Sequence, residues 1–322
     1  MSGEYRKATN DYIILNHQSK EMMLVHADGQ TQVLPSVTSY TLPFTSCTPI
    51  IKSLSDDGSE IILYDSDFST AKPYLARLRF EDTTATIEQL PLDSFRLNQR
   101  ITYVSDEQPI LIPMRISNGF TPFLPDTNLA YVGRGATWKL FGKREPMFYD
   151  TLLARLAWMT IAAYDNRVFI CHNFTDYIDE YDFNGEYKQR IPITVSEEIL
   201  NQLNVFTDQL EAIATRPKSD LSFGFKLVVN NLLIDTTNQI GCLTLAFKLG
   251  SIRNSSIQYA PDQFQFLALI IDMKAGNQVT TVQLPAGAMP LTFTDGVLHE
   301  LFVDKGAISI IRQDVLSAVS KN

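Results

Sequence analysis

The chain is poor in the residues that most often carry chemistry. It has three cysteines, four histidines and two tryptophans in 322 residues. Cys47, Cys171 and Cys242 lie far apart with no CxxC pair. An odd, sparse set of this kind does not make a disulfide framework, and reduced, mostly buried thiols are expected. His172 follows Cys171 directly, but neighbours on a strand point to opposite faces, which argues against a catalytic Cys–His pair. GxSxG, HExxH, P-loop and GxGxxG patterns are all missing. No apolar run reaches the roughly 18 residues that a membrane-spanning helix needs. The opening MSGEYRKATNDY is polar and lacks an apolar signal-peptide region, so no leader is expected in this sequence. The compartment is then the cytoplasm, or the periplasm or cell surface if a leader has been removed. Positive charge is also scarce: 27 Lys and Arg against 36 Asp and Glu give a net charge of -9. That balance disfavours a nucleic-acid partner, since phosphate binding wants a basic face.

What the chain does contain is hairpins. RVFICHN, YIDEYDF and EYKQRIPI are β-rich runs joined by a polar link at FTDY and a turn at Asn184-Gly185. LAWMTIAAYDN supplies an apolar strand before them. Similar text recurs around Asp28-Gly29, Asp57-Gly58, Gly133-Arg134-Gly135 and Asp295-Gly296, and in FGFKLVVNNLLID and FQFLALIIDMKAG. About six imperfect units of roughly 40 to 65 residues result, a spacing typical of propellers. Each unit has one apolar inner region that it cannot bury alone, and radial stacking buries it. The expected fold is all-β, a six-bladed β-propeller forming a single domain over residues 1–322. The last unit lacks an outer strand, and the N-terminal segment is expected to close the ring by supplying it. The competing fold is a β-sandwich or barrel with irregular hairpins.

One segment has helical spacing. Thr194-x-x-Glu197 is a capping-box pattern, followed by Ile199, Leu200, Leu203, Phe206, Leu210 and Ile213. An amphipathic helix inserted over about 194–214 is expected, as a lid on the rim or as a partner-docking element.

YIDEYDFNGEYKQRIPI, the capped helix, FGFKLVVNNLLID and MPLTFTDGVLHELFV together resemble TolB-like six-bladed β-propeller proteins of Bacteroidetes, over about two-thirds of the chain. The resemblance implies a propeller whose relatives are mostly exported, often as lipoproteins, and it implies no catalytic residue. The links between second and third strands are expected to gather round the mouth of a central channel. They would bring together Asn16, His17, Asp65, Asp67, Arg134, His172, Asn173, Asp235 and Asp304. No cofactor motif is present. A divalent metal held by these histidines and carboxylates is the one cofactor such a ring allows. Two functions follow. One is a non-enzymatic binding or scaffold protein that takes a protein or saccharide partner on one face. The alternative is a metal-dependent hydrolase or lyase at the channel mouth. A structural role in a phage or surface assembly is a third.

Overall fold

The computed structural model describes residues 2–6, 9–16, 19–40, 50–54, 60–67, 72–80, 83–89, 95–97, 110–116, 130–134, 137–142, 159–172, 175–197, 227–248, 264–304 and 307–319. The fold is an all-β propeller. The chain divides into two compact units, residues 1–143 and 144–322.

Unit 1 holds three antiparallel sheets. The first is β1 (Ser2–Arg6), β2 (Asp11–Leu15), β3 (Met22–Val25) and β4 (Thr31–Leu34), in that order. The second is β5 (Ile50–Leu54), β6 (Glu60–Asp67), β7 (Lys72–Arg79) and β8 (Thr84–Gln89). The third is β9 (Phe95–Leu97), β10 (Ile110–Ile116), β11 (Ala130–Arg134) and β12 (Thr137–Phe141).

Unit 2 repeats the design. Its first sheet is β13 (Met159–Tyr164), β14 (Arg167–His172), β15 (Tyr177–Asp182) and β16 (Tyr187–Pro192). The next is β17 (Leu227–Asp235), β18 (Ile240–Lys248), β19 (Phe264–Asp272) and β20 (Asn277–Gln283). The last has only β21 (Met289–Thr294), β22 (Val297–Asp304) and β23 (Ala307–Asp314).

Three expectations need correction. Six complete blades are not found: five sheets have four strands, and β21–β23 has three. FGFKLVVNNLLID and FQFLALIIDMKAG are halves of one sheet, because β18 pairs along its whole length with β19, from Ile240↔Asp272 to Lys248↔Phe264. The N-terminal segment does not complete the last sheet. It pairs with β2 instead, from Ser2↔Leu15 to Arg6↔Asp11. The physical reason is that β2 is buried at every residue and needs a partner on both edges. The helix expected over 194–214 lies outside the described residues from 198 onward. Among the described residues the longest helix is Leu316–Val319, and no inserted helix appears.

Among the described side chains, the second strands β2, β14 and β18 carry much of the core. Apolar side chains on both of their faces must meet neighbours, so one sheet cannot shelter them. In unit 1, Ile13, Leu15, Met22 and Leu24 pack against Ile61, Ala76 and Leu78 of the next sheet. In unit 2, Phe169, Cys171, Ile178 and Ile191 meet Leu243, Leu245, Leu269 and Ile271. The other face of β18 and β19, with Cys242, Ala246, Phe266, Ala268 and Ile270, meets Phe293 and Leu298. Each fully buried large side chain contributes roughly 1.5–3 kcal/mol relative to exposure.

Polar contacts recur at the heads of the second strands. Asp11 Oδ1 meets His26 Nδ1 at 3.0 Å. Glu60 accepts from Arg77 Nη1 at 3.0 Å and from Arg79 Nε at 3.1 Å. Arg167 donates from Nε and Nη2 to the two oxygens of Glu180, at 2.7 and 2.8 Å. Its Nη1 donates to Tyr164 Oη at 2.7 Å, and Nη2 also reaches the Met273 carbonyl of the next sheet at 2.9 Å. Burial alone would raise the Glu180 pKa, but hydrogen bonds from Arg167 and Gln189, with Arg167's charge, hold it below the usual carboxylate value. Arg167 thus ties two sheets of unit 2 together while its own charge is satisfied.

Removing one partner strands the other inside. Glu180→Ala is expected to cost about 3–5 kcal/mol in urea unfolding, and the double change Arg167→Met with Glu180→Leu to cost clearly less. Equal losses for the single and double variants would contradict this reading.

Candidate functional site

In unit 2 every connection at one end of the sheets is short. The β13–β14, β15–β16, β17–β18, β19–β20 and β21–β22 links are the short turns 165–166, 183–186, 236–239, 273–276 and 295–296. An antiparallel meander places all of them at one end of their sheets. Their geometry is tightly specified. Asp165 and Asn166 both take positive φ, 47° and 58°, as a two-residue hairpin turn requires. The Asn184-Gly185 turn differs from that type: only Gly185 is left-handed (φ 76°), and Asp182 N–H donates to the Glu186 carbonyl at 3.0 Å. Gly296 (φ 79°) permits the turn where a Cβ would collide with Leu316. At the opposite end lie residues 193–226 between β16 and β17, 249–263 between β18 and β19 and the segment before β13, together with the shorter links 173–176, 284–288 and 305–306.

The sequence-predicted residues divide between these ends. His172 closes β14 at the long-connection end, and Asp304 closes β22 at the same end of its sheet. His172 is buried, and its carbonyl accepts from Thr175 Oγ1 at 3.0 Å. In unit 1, Asn16 follows β2; its carbonyl accepts from Lys20 N–H at 2.8 Å, and its side chain accepts from Ser19 N–H at 3.4 Å. Asp65 and Asp67 sit in β6 opposite Tyr74 and Lys72, so Asp67 ends that strand. Arg134 ends β11 opposite Thr137, at a third-to-fourth-strand link and not a second-to-third one. His17 and Asn173 lie outside the described residues.

Asp235 is at the other end from His172. It closes the β17–β18 turn, where Oδ1 accepts from Thr237 N–H and Asn238 N–H at 3.0 and 3.2 Å. Its Oδ2 accepts from Gly296 N–H at 2.7 Å, joining two adjacent turns. Asp235 therefore serves the framework, and the structure does not bring it to the long-connection end. Among the described residues no group of three or more His, Cys, Asp or Glu side chains could hold a metal ion.

Burial keeps the two described thiols protonated at neutral pH. Burial pushes the Cys171 pKa up to about 12 and raises that of Cys242 further. Cys47 lies outside the described residues.

Two ionisable groups on β22 were not singled out from the sequence. His299 is 4% exposed; burial, then the charge of Arg312, lowers its pKa to about 4. Glu300 is 0% exposed, and burial raises its pKa to about 7. Neither carboxyl oxygen of Glu300 has a hydrogen-bond partner among the described residues. Alternation along HELF marks only that the two point to opposite faces. Which face is apolar depends on the neighbouring sheets.

With the geometry in hand, known proteins can be compared. No protein-family model matches the chain, and none of the curated proteins compared matches its sequence. Among solved structures it is similar to a member of the DUF4221 family from Bacteroides vulgatus, with TM-score 0.59 and 9% identity over 98% of this chain and 92% of that one. It is also similar to a luciferin-regenerating enzyme, with TM-score 0.50 and 11% identity over 97% of this chain and 89% of that one. TolB from Acinetobacter baumannii matches with TM-score 0.49 and 11% identity, over 95% of this chain and 60% of that one. At these identities the likeness is one of fold.

His299 and Glu300 give opposing pH dependences. The unfolded chain protonates His299 near its ordinary 6.5 and the folded chain only near 4, so stability is lost as pH falls through that window. The folded chain holds the Glu300 proton to about 7, against 4.5 ordinarily, so stability is lost as pH rises through that window. His299→Gln is expected to gain stability relative to wild type toward pH 4, and Glu300→Gln toward pH 8, each on the order of 3 kcal/mol. Urea unfolding across pH checks this, and offsets independent of pH for both variants would contradict it.

Proposed function

We propose that the protein is a non-enzymatic binding or scaffold propeller that engages a protein or saccharide partner through the long-connection end of unit 2. The observation that carries this reading is the division of the connections. Every turn at one end is at most four residues long, whereas residues 193–226 and 249–263 are both anchored at the other, beside the shorter links 173–176, 284–288 and 305–306. Binding residues concentrate on long connections held by a rigid framework, because such segments vary in sequence without disturbing the core. His172, itself buried, and Asp304 terminate strands at that end and anchor the links that follow them. In unit 1, Asn16 and Asp67 stand at the corresponding second-to-third-strand links.

The metal-dependent hydrolase or lyase reading asks His17, His172 and two or more of Asp65, Asp67, Asp235 and Asp304 to converge. Asp235 stands at the opposite end of unit 2 from His172, and both its oxygens are engaged by turn N–H groups. A partner recognised over a surface asks for no such convergence.

The test replaces residues 251–260 by a Gly-Ser segment of equal length. Wild type and variant are applied to a saccharide array and used to capture biotinylated proteins. The expected result is a set of ligands retained by wild type and lost by the variant, with the melting midpoint unchanged. Ligands that survive this replacement but are lost on changing Glu186 and Lys188 at the short-turn end would contradict the proposal.

A further inference from the structure

Among the described residues, no backbone ladder joins the last sheet of unit 2 to the sheet before it. Strands β21, β22 and β23 pair with one another, and β17–β20 form a sheet of their own. The two sheets are held together by the link 284–288, by a hydrogen bond and by an apolar layer. The hydrogen bond runs from Gly296 N–H to Asp235 Oδ2 at 2.7 Å. The layer sets Cys242, Phe266 and Ile270 against Phe293, Leu298 and Val315. Alternate residues along a strand share a face, so Glu300 looks the same way as Leu298, into this layer.

Glu300 is fully buried there, and neither of its oxygens has a hydrogen-bond partner among the described residues. Its charge acts on the Cys242 thiol, which is also fully buried, so the two side chains meet across the layer. No cation faces Glu300 among the described side chains. Its cross-strand partners are Pro290 of β21 and Ile311 of β23. From the neighbouring sheet, β18 presents the neutral Cys242. The acids of β17 and β19, Asp235 and Asp272, are both held by turn N–H groups at the strand ends. His299 and Arg312 lie opposite each other and show the other face of the last sheet.

We propose that Glu300 is a latch on Cys242: when the carboxyl ionises, the last sheet parts from β17–β20 and the thiol becomes reachable by electrophiles from solvent. A buried carboxylate without a partner is costly, and opening the layer hydrates it. Parting the sheets is the local route, because it breaks the apolar layer and the Asp235–Gly296 hydrogen bond but no ladder of the described strands. Burial holds the closed carboxyl's pKa at about 7, against 4.5 when exposed. Opening therefore becomes easier as pH rises between those values and levels off above them. Cys171 is the internal control. It is buried in the other layer of unit 2, where Phe169 and Ile178 meet Leu243 and Leu269. Opening at β21–β23 uncovers Cys242 and leaves Cys171 covered.

The test alkylates the full chain with excess iodoacetamide, in which the thiolate sulfur displaces iodide, from about pH 5 to about pH 9. Peptide mass spectrometry follows each thiol separately. Each rate is divided by that of glutathione at the same pH, which removes the ordinary ionisation of a thiol. The corrected Cys242 rate is expected to rise roughly 50-fold between pH 5 and pH 8 and little beyond. At pH 8 Cys242 is expected to react roughly tenfold or more faster than Cys171. In Glu300→Gln the corrected Cys242 rate is expected to stay flat. A flat Cys242 profile in wild type overturns the proposal whether or not the variant folds. Equal rates for the two thiols at pH 8 overturn it by assigning exposure to unfolding of the whole unit. The same rise in variant and wild type overturns it by assigning the opening to another group.

Discussion

Burial on two faces is the constraint from which the rest follows. A strand such as DYIIL, buried at all five positions, or VFICH, buried along its length, cannot be sheltered by one neighbouring layer. It needs a strand on each edge and a sheet on each face. The meander supplies the strands, and stacking of neighbouring sheets within each unit covers one face of β2 and of β14 and both faces of β18. Outer strands have no such demand: β20 alternates exposed and half-buried residues, and most of β16 is exposed. Polar contacts close the start of β2, β6 and β14, and a further ion pair, Asp179–Arg190, lies along the first sheet of unit 2. The pairs at Asp11, Glu60 and Arg167 close the apolar layer at the turn end and, through Arg167, bridge to the next sheet.

Much of this was legible in the sequence, because hairpins are local. The turn chemistry of Asp165-Asn166, Asp295-Gly296 and Asn184-Gly185 marked strand boundaries within a few residues of their positions. The count of blades was harder. FKLVVNNLLID and FQFLALIID both look like unit starts, since every long strand in a sheet buried on two faces is a continuous apolar run. Only pairing across residues 249–263 shows that they share a sheet. The first strand, SGEYR, is polar, so nothing local marks it as the partner that β2 requires.

The candidate residues fared according to the same rule. His172 and Asp304 were placed at their strand ends by flanking polar residues, and the structure agrees. Asp235 was assigned to the wrong end because its strand is the first of its sheet, a fact fixed by long-range pairing. Glu300 was missed altogether. Alternation along β22 sets it on the opposite face from His299, but which of the two faces is covered depends on the neighbouring sheets. Polar residues in inner strands thus became visible only once the register was known. One end of unit 2 is closed by short turns, and the other anchors residues 193–226 and 249–263.

Amide hydrogen exchange followed residue by residue tests two-sided burial most directly. The account expects the amides of β2, β14 and β18 to exchange slowest, at rates set by cooperative unfolding, while those of β4, β16 and β20 exchange much faster through local opening. Second strands that exchange as readily as the outer strands of the same sheets would contradict it.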